Sequence, residues 1–174
     1  MARYPFWIVG VMSLLGCTGE TVFWGDRSPV AVASPPVVAQ LPLGSPILYV
    51  NPAAGTDAPG AGNPSAPFRT ITYALQQATP GTIVRLERGS YTQQTGESFP
   101  LILPAGVTLI GDEASKGQVV AIIGGGTIVS PTFARQNVTL LAGKDTEIRG
   151  VTVINPNVRG TGIWVESVNS TIQH

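Results

Sequence analysis

The sequence predicts an all-β protein built as a stack of short strands. Charged residues make up only 11% of the 174 residues, while 21 glycines and 15 prolines supply frequent turns. This composition favours short strands over long helices. In residues 145–174, β-branched residues recur about one strand apart between Asn, Gly, Pro and Ser, a pattern typical of strands with a turn at each corner. The intervals from Val107 to Val138 and from Ile148 to Ile172 fall within the roughly 20–45 residues of stacked repeats.

Residues 1–16 are typical of an export signal. Arg3 precedes the apolar run 6–15, which is shorter than the roughly 20 residues that a membrane-crossing helix needs. The sequence Leu-Leu-Gly-Cys at 14–17 resembles the lipobox of bacterial lipoproteins, and the resemblance implies cleavage before Cys17 and acyl chains on it. We therefore expect an exported protein, either anchored in a membrane through Cys17 or secreted or periplasmic. An ordinary secretory signal with an incidental cysteine is the alternative.

Residues 17–46 are expected to form the lipidated cysteine and a tether. Five residues between positions 29 and 46 are prolines, which oppose helix and sheet and keep a segment extended. The remaining residues, 47–174, are predicted to form one domain. It divides into a capping segment, 47–81, and a set of stacked rungs, 82–174.

The sequence of the capping segment predicts a strand, a loop and a helix. Residues 47–51 form a short apolar run, and residues 52–67 are rich in turn formers. The helix is predicted over 68–78, with Ser65 as its cap and Pro67 in its first turn. Its apolar face comprises Phe68, Ile71, Leu75 and Ala78.

The rungs show strand periodicity. Val84 and Leu86 alternate with Arg85 and Glu87, which predicts one buried and one exposed face. Further strands are predicted within 101–111, 119–123 and 137–141. In the final thirty residues the core face is assigned to Ile148, Val151, Val153, Ile163, Val165 and Ile172.

Several short motifs resemble a known family. They are Tyr-Val-Asn-Pro at 49–52, Gly-Thr-Asp at 55–57, Ala-Pro-Phe-Arg-Thr-Ile-Thr-Tyr-Ala-Leu at 66–75, Pro-Gly at 80–81 and Arg-Gly-Ser-Tyr at 88–91. Together they resemble a bacterial domain of unknown function, family 1565, over about residues 47–174. The resemblance implies a pectate-lyase-like, right-handed parallel β-helix with a helix plugging its N-terminal end. The resemblance assigns no catalytic residue to this chain.

A stack of parallel rungs exposes a strand edge at each end, and such an edge promotes aggregation unless it is covered. The predicted helix 68–78 is placed to cover the first edge. The sequence stops in mid-rung at Gln173 and His174. We therefore expect either a truncated chain, whose missing segment would cover the last rung, or a partner that covers it.

Composition excludes some functions. The 10 basic and 10 acidic residues balance and form no basic patch, so nucleic-acid binding is not expected. A single cysteine and a single terminal histidine argue against a Cys/His metal site or a histidine-based catalytic triad. No cofactor is expected, and calcium would be possible only if the chain were part of a polysaccharide lyase.

Four charged residues near the C-terminus are candidate ligand-binding groups. Glu147 and Arg149 share the outward face of one predicted strand, and Glu166 lies on the outward face of the next rung. With Arg159 in the connecting turn, they are expected to form one cluster of carboxylates and guanidinium groups. An ordinary surface ion-pair ladder, which stabilises little, is the alternative.

Trp164 is the fifth candidate. It lies between Ile163 and Val165, so it should point outward, where it could stack on a sugar ring or pack under a loop such as 155–161. Two other features have structural interpretations. Asn155 and Asn169 are placed for asparagine ladders at corners, and Asp112 and Glu113 are expected to be solvated turn residues.

Three functions are open from the sequence. The first is an exported cell-envelope module that binds carbohydrate or another surface polymer. The second is the N-terminal part of a polysaccharide lyase or glycoside hydrolase, and the third is a structural, adhesin-like spacer. No catalytic residue is assigned, and the chain as given is not expected to be an enzyme.

Overall fold

The computed structural model describes residues 44–166 and 170–173. In these residues the fold is mostly β-strand, with parallel sheets and one α-helix, so the all-β prediction is confirmed. The predicted leader 1–16, Cys17 and most of the predicted tether lie outside the described residues, as do Asn169 and His174. Within the described part, no helix has both the length and the apolarity that a membrane crossing requires.

The described segments contain twelve strands and α1, with a short 3₁₀ turn at Gln93–Thr95. In chain order they are β1 Ile47–Val50, α1 Ile71–Gln77, β2 Ile83–Leu86, β3 Gly89–Thr92, β4 Leu101–Ile102, β5 Thr108–Ile110, β6 Val120–Ile123, β7 Gly126–Ser130, β8 Ala134–Ala142, β9 Glu147–Arg149, β10 Thr152–Ile154, β11 Thr161–Val165 and β12 Thr171–Gln173.

The strands form three sheets, which the chain visits in turn. Sheet 1 has the order β1-β2-β5-β9-β12, sheet 2 has the order β10-β6-β3, and sheet 3 has the order β11-β8-β4. All pairings along these orders are parallel. We call the three sets of strands that visit each sheet once coil 1 (β2, β3, β4), coil 2 (β5, β6, β8) and coil 3 (β9, β10, β11).

Residues in register between coils fill the core. In sheet 1, Leu109 pairs with both Val84 and Ile148, and all three are at most 1% exposed. The corresponding columns are Tyr91, Ile122 and Val153 in sheet 2 and Leu101, Leu140 and Ile163 in sheet 3. Because side chains alternate across a strand, the residue after each of these lies on the outer face of its sheet.

The α-helix begins later than predicted. Thr70, not Ser65, is its N-cap, and the Thr70 hydroxyl accepts a hydrogen bond from the backbone N–H of Tyr73. Phe68 is not helical, because its backbone forms a parallel bridge with Val50. The helix packs against β1, β2 and β4, and its buried residues are Ile71, Ala74 and Leu75.

The outer edge of β1 is covered by a loop rather than by the helix. The backbone N–H of Tyr49 donates to the carbonyl of Gly62 at 2.9 Å, and the N–H of Phe68 donates to the carbonyl of Tyr49 at 2.8 Å. The N–H of Asn51 donates in turn to the carbonyl of Phe68 at 2.8 Å. Residues 62–68 therefore take the edge hydrogen bonds that we expected α1 to protect.

An antiparallel hairpin that the sequence reading did not anticipate interrupts coil 2. β7 pairs with the first half of β8, from Gly126 opposite Val138 to Ser130 opposite Ala134. The tip, residues 131–133, is fixed because the Ser130 hydroxyl accepts backbone hydrogen bonds from Thr132 and Phe133. As a result β8 has nine residues and extends beyond the neighbouring strands.

Two residues assigned to the core are exposed instead. Val165 is 44% exposed and Ile172 is 49% exposed, whereas Ile148 is 1% exposed. The other assigned residues, Val151, Val153 and Ile163, pack partly buried against the core. Within the described residues, β11 and β12 each have a strand on only one side. Burial therefore falls in the last coil, because a core column needs neighbours on both sides.

Candidate functional site

The five candidate residues are divided between two sheets and a turn. Glu147 and Arg149 lie on β9 in sheet 1, whereas Trp164 lies on β11 in sheet 3 and Glu166 follows that strand. Arg159 is exposed in the turn before β11, with a φ of 60°. The single cluster that the sequence suggested is therefore not formed in the described part of the chain.

Arg149 is enclosed by carboxylates. It is only 6% exposed, and its Nε lies 3.2 Å from Oε1 of Glu147 without the alignment of a hydrogen bond. One terminal nitrogen lies 3.5 Å from Oε1 of Glu113, which belongs to the loop after β5. Asp112, next to Glu113, accepts backbone hydrogen bonds that fix the following turn. These charges hold the loop against β9 and leave little of the guanidinium accessible to a ligand.

An apolar column crosses the outer face of sheet 3. Leu141 of β8 is in register with Ile102 of β4 on one side and with Trp164 of β11 on the other. The preceding residues of the three strands face the core, so these three side chains point outward. Ile102 is 57% exposed, and the other two are partly buried. The outward direction expected for Trp164 agrees with this register.

The tip of the β7–β8 hairpin packs beside Trp164. The ring of Phe133 meets the indole edge to face, with ring centroids 5.8 Å apart and an interplanar angle of 80°. Phe133 is itself 65% exposed. The indole Nε1 is buried without a hydrogen-bond partner among the described residues. Trp164 thus packs against the tip of the hairpin, and the two rings form one aromatic surface.

Glu166 is tied to the same hairpin. Its Oε1 accepts hydrogen bonds from the hydroxyls of Ser130 and Thr132, the latter at 3.2 Å. The carboxylate therefore holds the tip that carries Phe133 beside Trp164. We call Ile102, Leu141, Trp164, Phe133 and Glu166 the sheet 3 surface. It combines an apolar strip with a carboxylate and two hydroxyls at one end.

Most of this surface was not predicted from the sequence. The available signal for apolar outward positions was an apolar residue directly after an apolar core residue. Such pairs occur at Ile102, within the apolar run 101–103, and at Leu141, in the pair 140–141. Phe133 could be placed only by recognising the hairpin, whose signal is the turn sequence Ser-Pro-Thr at 130–132 between two alternating runs.

Among the described residues, no group of three or more His, Cys, Asp or Glu side chains is placed to hold a metal ion. A family model described as a protein of unknown function (DUF1565) matches residues 53–174 of the chain. Neither the curated proteins nor the solved structures that were compared with the chain gave a match.

Proposed function

We propose that this chain, which belongs to the DUF1565 family of proteins of unknown function, is an exported cell-envelope protein that binds carbohydrate or another surface polymer. The observation that carries the proposal is the in-register apolar column of Ile102, Leu141 and Trp164, extended by the ring of Phe133. The sheet 3 surface is the binding face.

The chemistry of this surface suits a sugar. A pyranose ring has apolar C–H faces and a rim of hydroxyls, so it packs on an aromatic or aliphatic side chain while its hydroxyls bond to polar groups beside it. Trp164 and Phe133 supply the aromatic part, and Glu166 supplies a carboxylate at the edge. Exposed apolar strips with a polar rim are uncommon on soluble proteins except at binding sites.

A glycan-array measurement with matched variants tests the proposal. Wild-type protein should retain at least one class of oligosaccharide, and Trp164→Ala and Phe133→Ala should each weaken that binding at least tenfold. Val158→Ala removes an apolar side chain that is 94% exposed in the turn before β11, and it should bind as wild type does. Circular dichroism and Tm establish that each variant is folded. Phe133→Ala should disturb the fold less than Trp164→Ala, because the Phe133 ring is mostly exposed.

Equal retention by wild type, Trp164→Ala and Phe133→Ala would end this assignment of the surface. We assign binding rather than catalysis, so incubation of a retained polysaccharide with wild-type protein should release neither reducing ends nor unsaturated products. Release of either product would favour the lyase or hydrolase alternative.

We further propose that the coils form a right-handed parallel β-helix. The chain passes from sheet 1 to sheet 2 to sheet 3 and returns to sheet 1 beside its previous strand, which supports a coiled path. Crossover connections between parallel strands of one sheet are right-handed in about 98% of cases. A crystal structure with a left-handed path from β2 to β5 would refute this proposal.

Export and anchoring through Cys17 complete the proposed function. The support is the apolar segment 6–15, whose last two residues begin the sequence Leu-Leu-Gly-Cys at 14–17. Two or more acyl chains give stable membrane attachment, whereas one gives marginal attachment. Expression in a bacterium with labelled palmitate should label the wild-type chain and place it in the membrane fraction. Cys17→Ser should abolish both the label and the membrane attachment; membrane attachment that survives the substitution would refute lipid anchoring.

A further inference from the structure

A concave site, separate from the sheet 3 surface, lies where the chain turns from sheet 2 to sheet 3. This cleft has a volume of about 510 Å³, within the range of small-molecule sites. Corner segments of all three coils line it: residues 92–94 and 97–99 of coil 1, 123–125 of coil 2 and 156–157 of coil 3. Because successive coils contribute to it, the cleft runs along the stack. It shares no residue with the sheet 3 surface.

Glycines form part of its lining. A Cβ on Gly124 would lie 2.3 Å from the ring of Phe99, and a Cβ on Gly125 would lie 2.4 Å from the side-chain oxygen of Asn137. Neither position therefore accommodates a side chain without a shift of its neighbours. The glycine run 124–126, which resembles a phosphate loop only superficially, lets an aromatic ring and an asparagine cluster approach from two sides.

The polar side chains that line the cleft include three amides, those of Gln93, Gln94 and Asn157, beside the hydroxyls of Thr92 and Ser98 and the carboxylate of Glu97. Gln93 and Gln94 are exposed on the 3₁₀ turn, and neither side chain takes part in a hydrogen bond with another described residue. The turn beneath them is held by a capping box between Thr92 and Thr95. On the opposite side, the side-chain nitrogen of Asn157 donates to the side-chain oxygens of Asn137 and Asn155, each at 3.1 Å.

The charged groups that line the cleft indicate which class of ligand it can bind. None of the residues that line it is Lys or Arg. Its one carboxylate, Glu97, is 3% exposed and already accepts three hydrogen bonds from Ile71 and Thr72. An anionic ligand would find no cation here, and a purely apolar ligand would leave the amides without partners, which costs free energy.

We propose that this cleft binds a neutral, hydroxyl-rich saccharide chain, an inference that rests on the proposed carbohydrate-binding function and adds a second subsite with a stated charge preference. The two glutamine amides supply paired donors and acceptors for neighbouring hydroxyls. The Phe99 ring supplies an apolar face for the C–H side of a sugar.

The test uses the full-length chain on an array of neutral, uronic-acid and sulfated glycans. We expect retention of neutral glycans and at least a tenfold loss of affinity in the double variant Gln93→Ala, Gln94→Ala, with Tm unchanged. Gln118→Ala, at an exposed glutamine on the corner between sheets 1 and 2, should bind as wild type does. In a ¹⁵N spectrum, the strongest neutral ligand should shift the side-chain amide signals of Gln93 and Gln94.

The outcomes separate this inference from the proposed function. If Trp164→Ala weakens glycan binding and the double glutamine variant does not, the cleft proposal is overturned and the sheet 3 surface is retained as the binding site. Binding that depends on the glutamines and not on Trp164 would support the cleft and overturn the sheet 3 surface. Retention of acidic glycans alone would overturn the neutral preference, and retention of no glycan would overturn both.

Discussion

The carboxylate of Glu97 accepts a hydrogen bond from the backbone N–H of Ile71 at 2.7 Å, across 26 positions of sequence. It also accepts the N–H and the hydroxyl of Thr72. Asp57 accepts the preceding two backbone N–H groups, those of Arg69 and Thr70. Two distant carboxylates therefore satisfy the unpaired donors at the start of α1. They hold the helix against the loop after β3 and the loop after β1.

Glu97→Gln should destabilise the protein by about 2 kcal/mol at neutral pH, because a carboxamide presents one acceptor oxygen where the carboxylate presents two. The free energy of unfolding in urea measures this cost. Gln94→Ala, at an exposed neighbouring residue of the same loop, is the control and should stay within about 0.5 kcal/mol of wild type. An equal effect of both substitutions would contradict the capping role.

The difference between wild type and Glu97→Gln should also depend on pH. Burial raises the pKa of Glu97, with a further contribution from Asp57, although the hydrogen bonds from Thr72 and Ile71 act in the opposite direction. Between the unfolded and the folded pKa, the folded state therefore keeps a proton that the unfolded chain has released. The free energy of unfolding of the wild type then falls as the pH rises through the raised pKa. Its advantage over Glu97→Gln should be larger in acid than at pH 7. An advantage that shrinks on acidification would refute this direction.

Glu147→Gln should cost about 3 kcal/mol, because it leaves the buried guanidinium of Arg149 with one exposed partner. Glu113→Gln should cost under about 1 kcal/mol, since the Glu113 side chain is 51% exposed. Chemical denaturation of the two variants compares them. Adding Arg149→Met to Glu147→Gln should recover stability, because it removes the unpaired charge. A double variant less stable than Glu147→Gln alone would contradict this account.

Gly111→Ala should destabilise by about 2 kcal/mol, as expected for overpacking. A Cβ there would lie 2.2 Å from the carbonyl oxygen of Gly150 in the next coil. Gly162→Ala is the matched control, because its Cβ would come no nearer than 3.3 Å to a neighbour, the carbonyl oxygen of Val153. It should stay within about 1 kcal/mol of wild type. Thermal unfolding distinguishes the two, and equal Tm values would show that the coils can separate to admit a methyl group.

Asn155→Asp should be more destabilising than Asn155→Ala. The Asn155 amide donates to the Asn137 side-chain oxygen at 2.9 Å and to the backbone carbonyls of Asn137 and Thr161 at 3.3 and 3.1 Å. A carboxylate there would face three oxygens. Alanine instead removes the donors and also the Asn155 side-chain oxygen, which accepts from the backbone and side-chain nitrogens of Asn157, at about 1–2 kcal/mol. The gap between the two variants should narrow in acid, where protonation restores a donor. A gap that stays constant between pH 4 and pH 7 would argue against this geometry.

Local periodicity was sufficient to predict much of the fold. The alternation of Val84 and Leu86 with Arg85 correctly separates buried from exposed residues, because each strand buries one face. The start of α1 was not predictable in this way. Thr70 becomes the cap, and Phe68 stays extended, through contacts with Asp57 and Val50, which local sequence does not encode.

The candidate site was predictable only in part, for the same reason. The outward direction of Trp164 follows from its place after Ile163 in a strand. Its partners do not follow from local sequence. Phe133 is brought to Trp164 by an antiparallel hairpin, and Ile102, two coils from Trp164, is aligned with it because both are in register with Leu141. Arg149 was expected on the surface and is buried, since the loop after β5 carries Glu113 over it.

The β7–β8 hairpin gives the protein a way to change its surface without changing its scaffold. β7 pairs with β8 and lies off the strand order of sheet 3, so residues 131–133 can lengthen, shorten or be replaced while the parallel ladders keep their register. Variation at this tip would alter what lies beside Trp164 and nothing in the core columns. Under the proposed binding function, divergent copies of such a stack would acquire new ligand preferences by insertion at the tip, which also offers a grafting position for protein engineering.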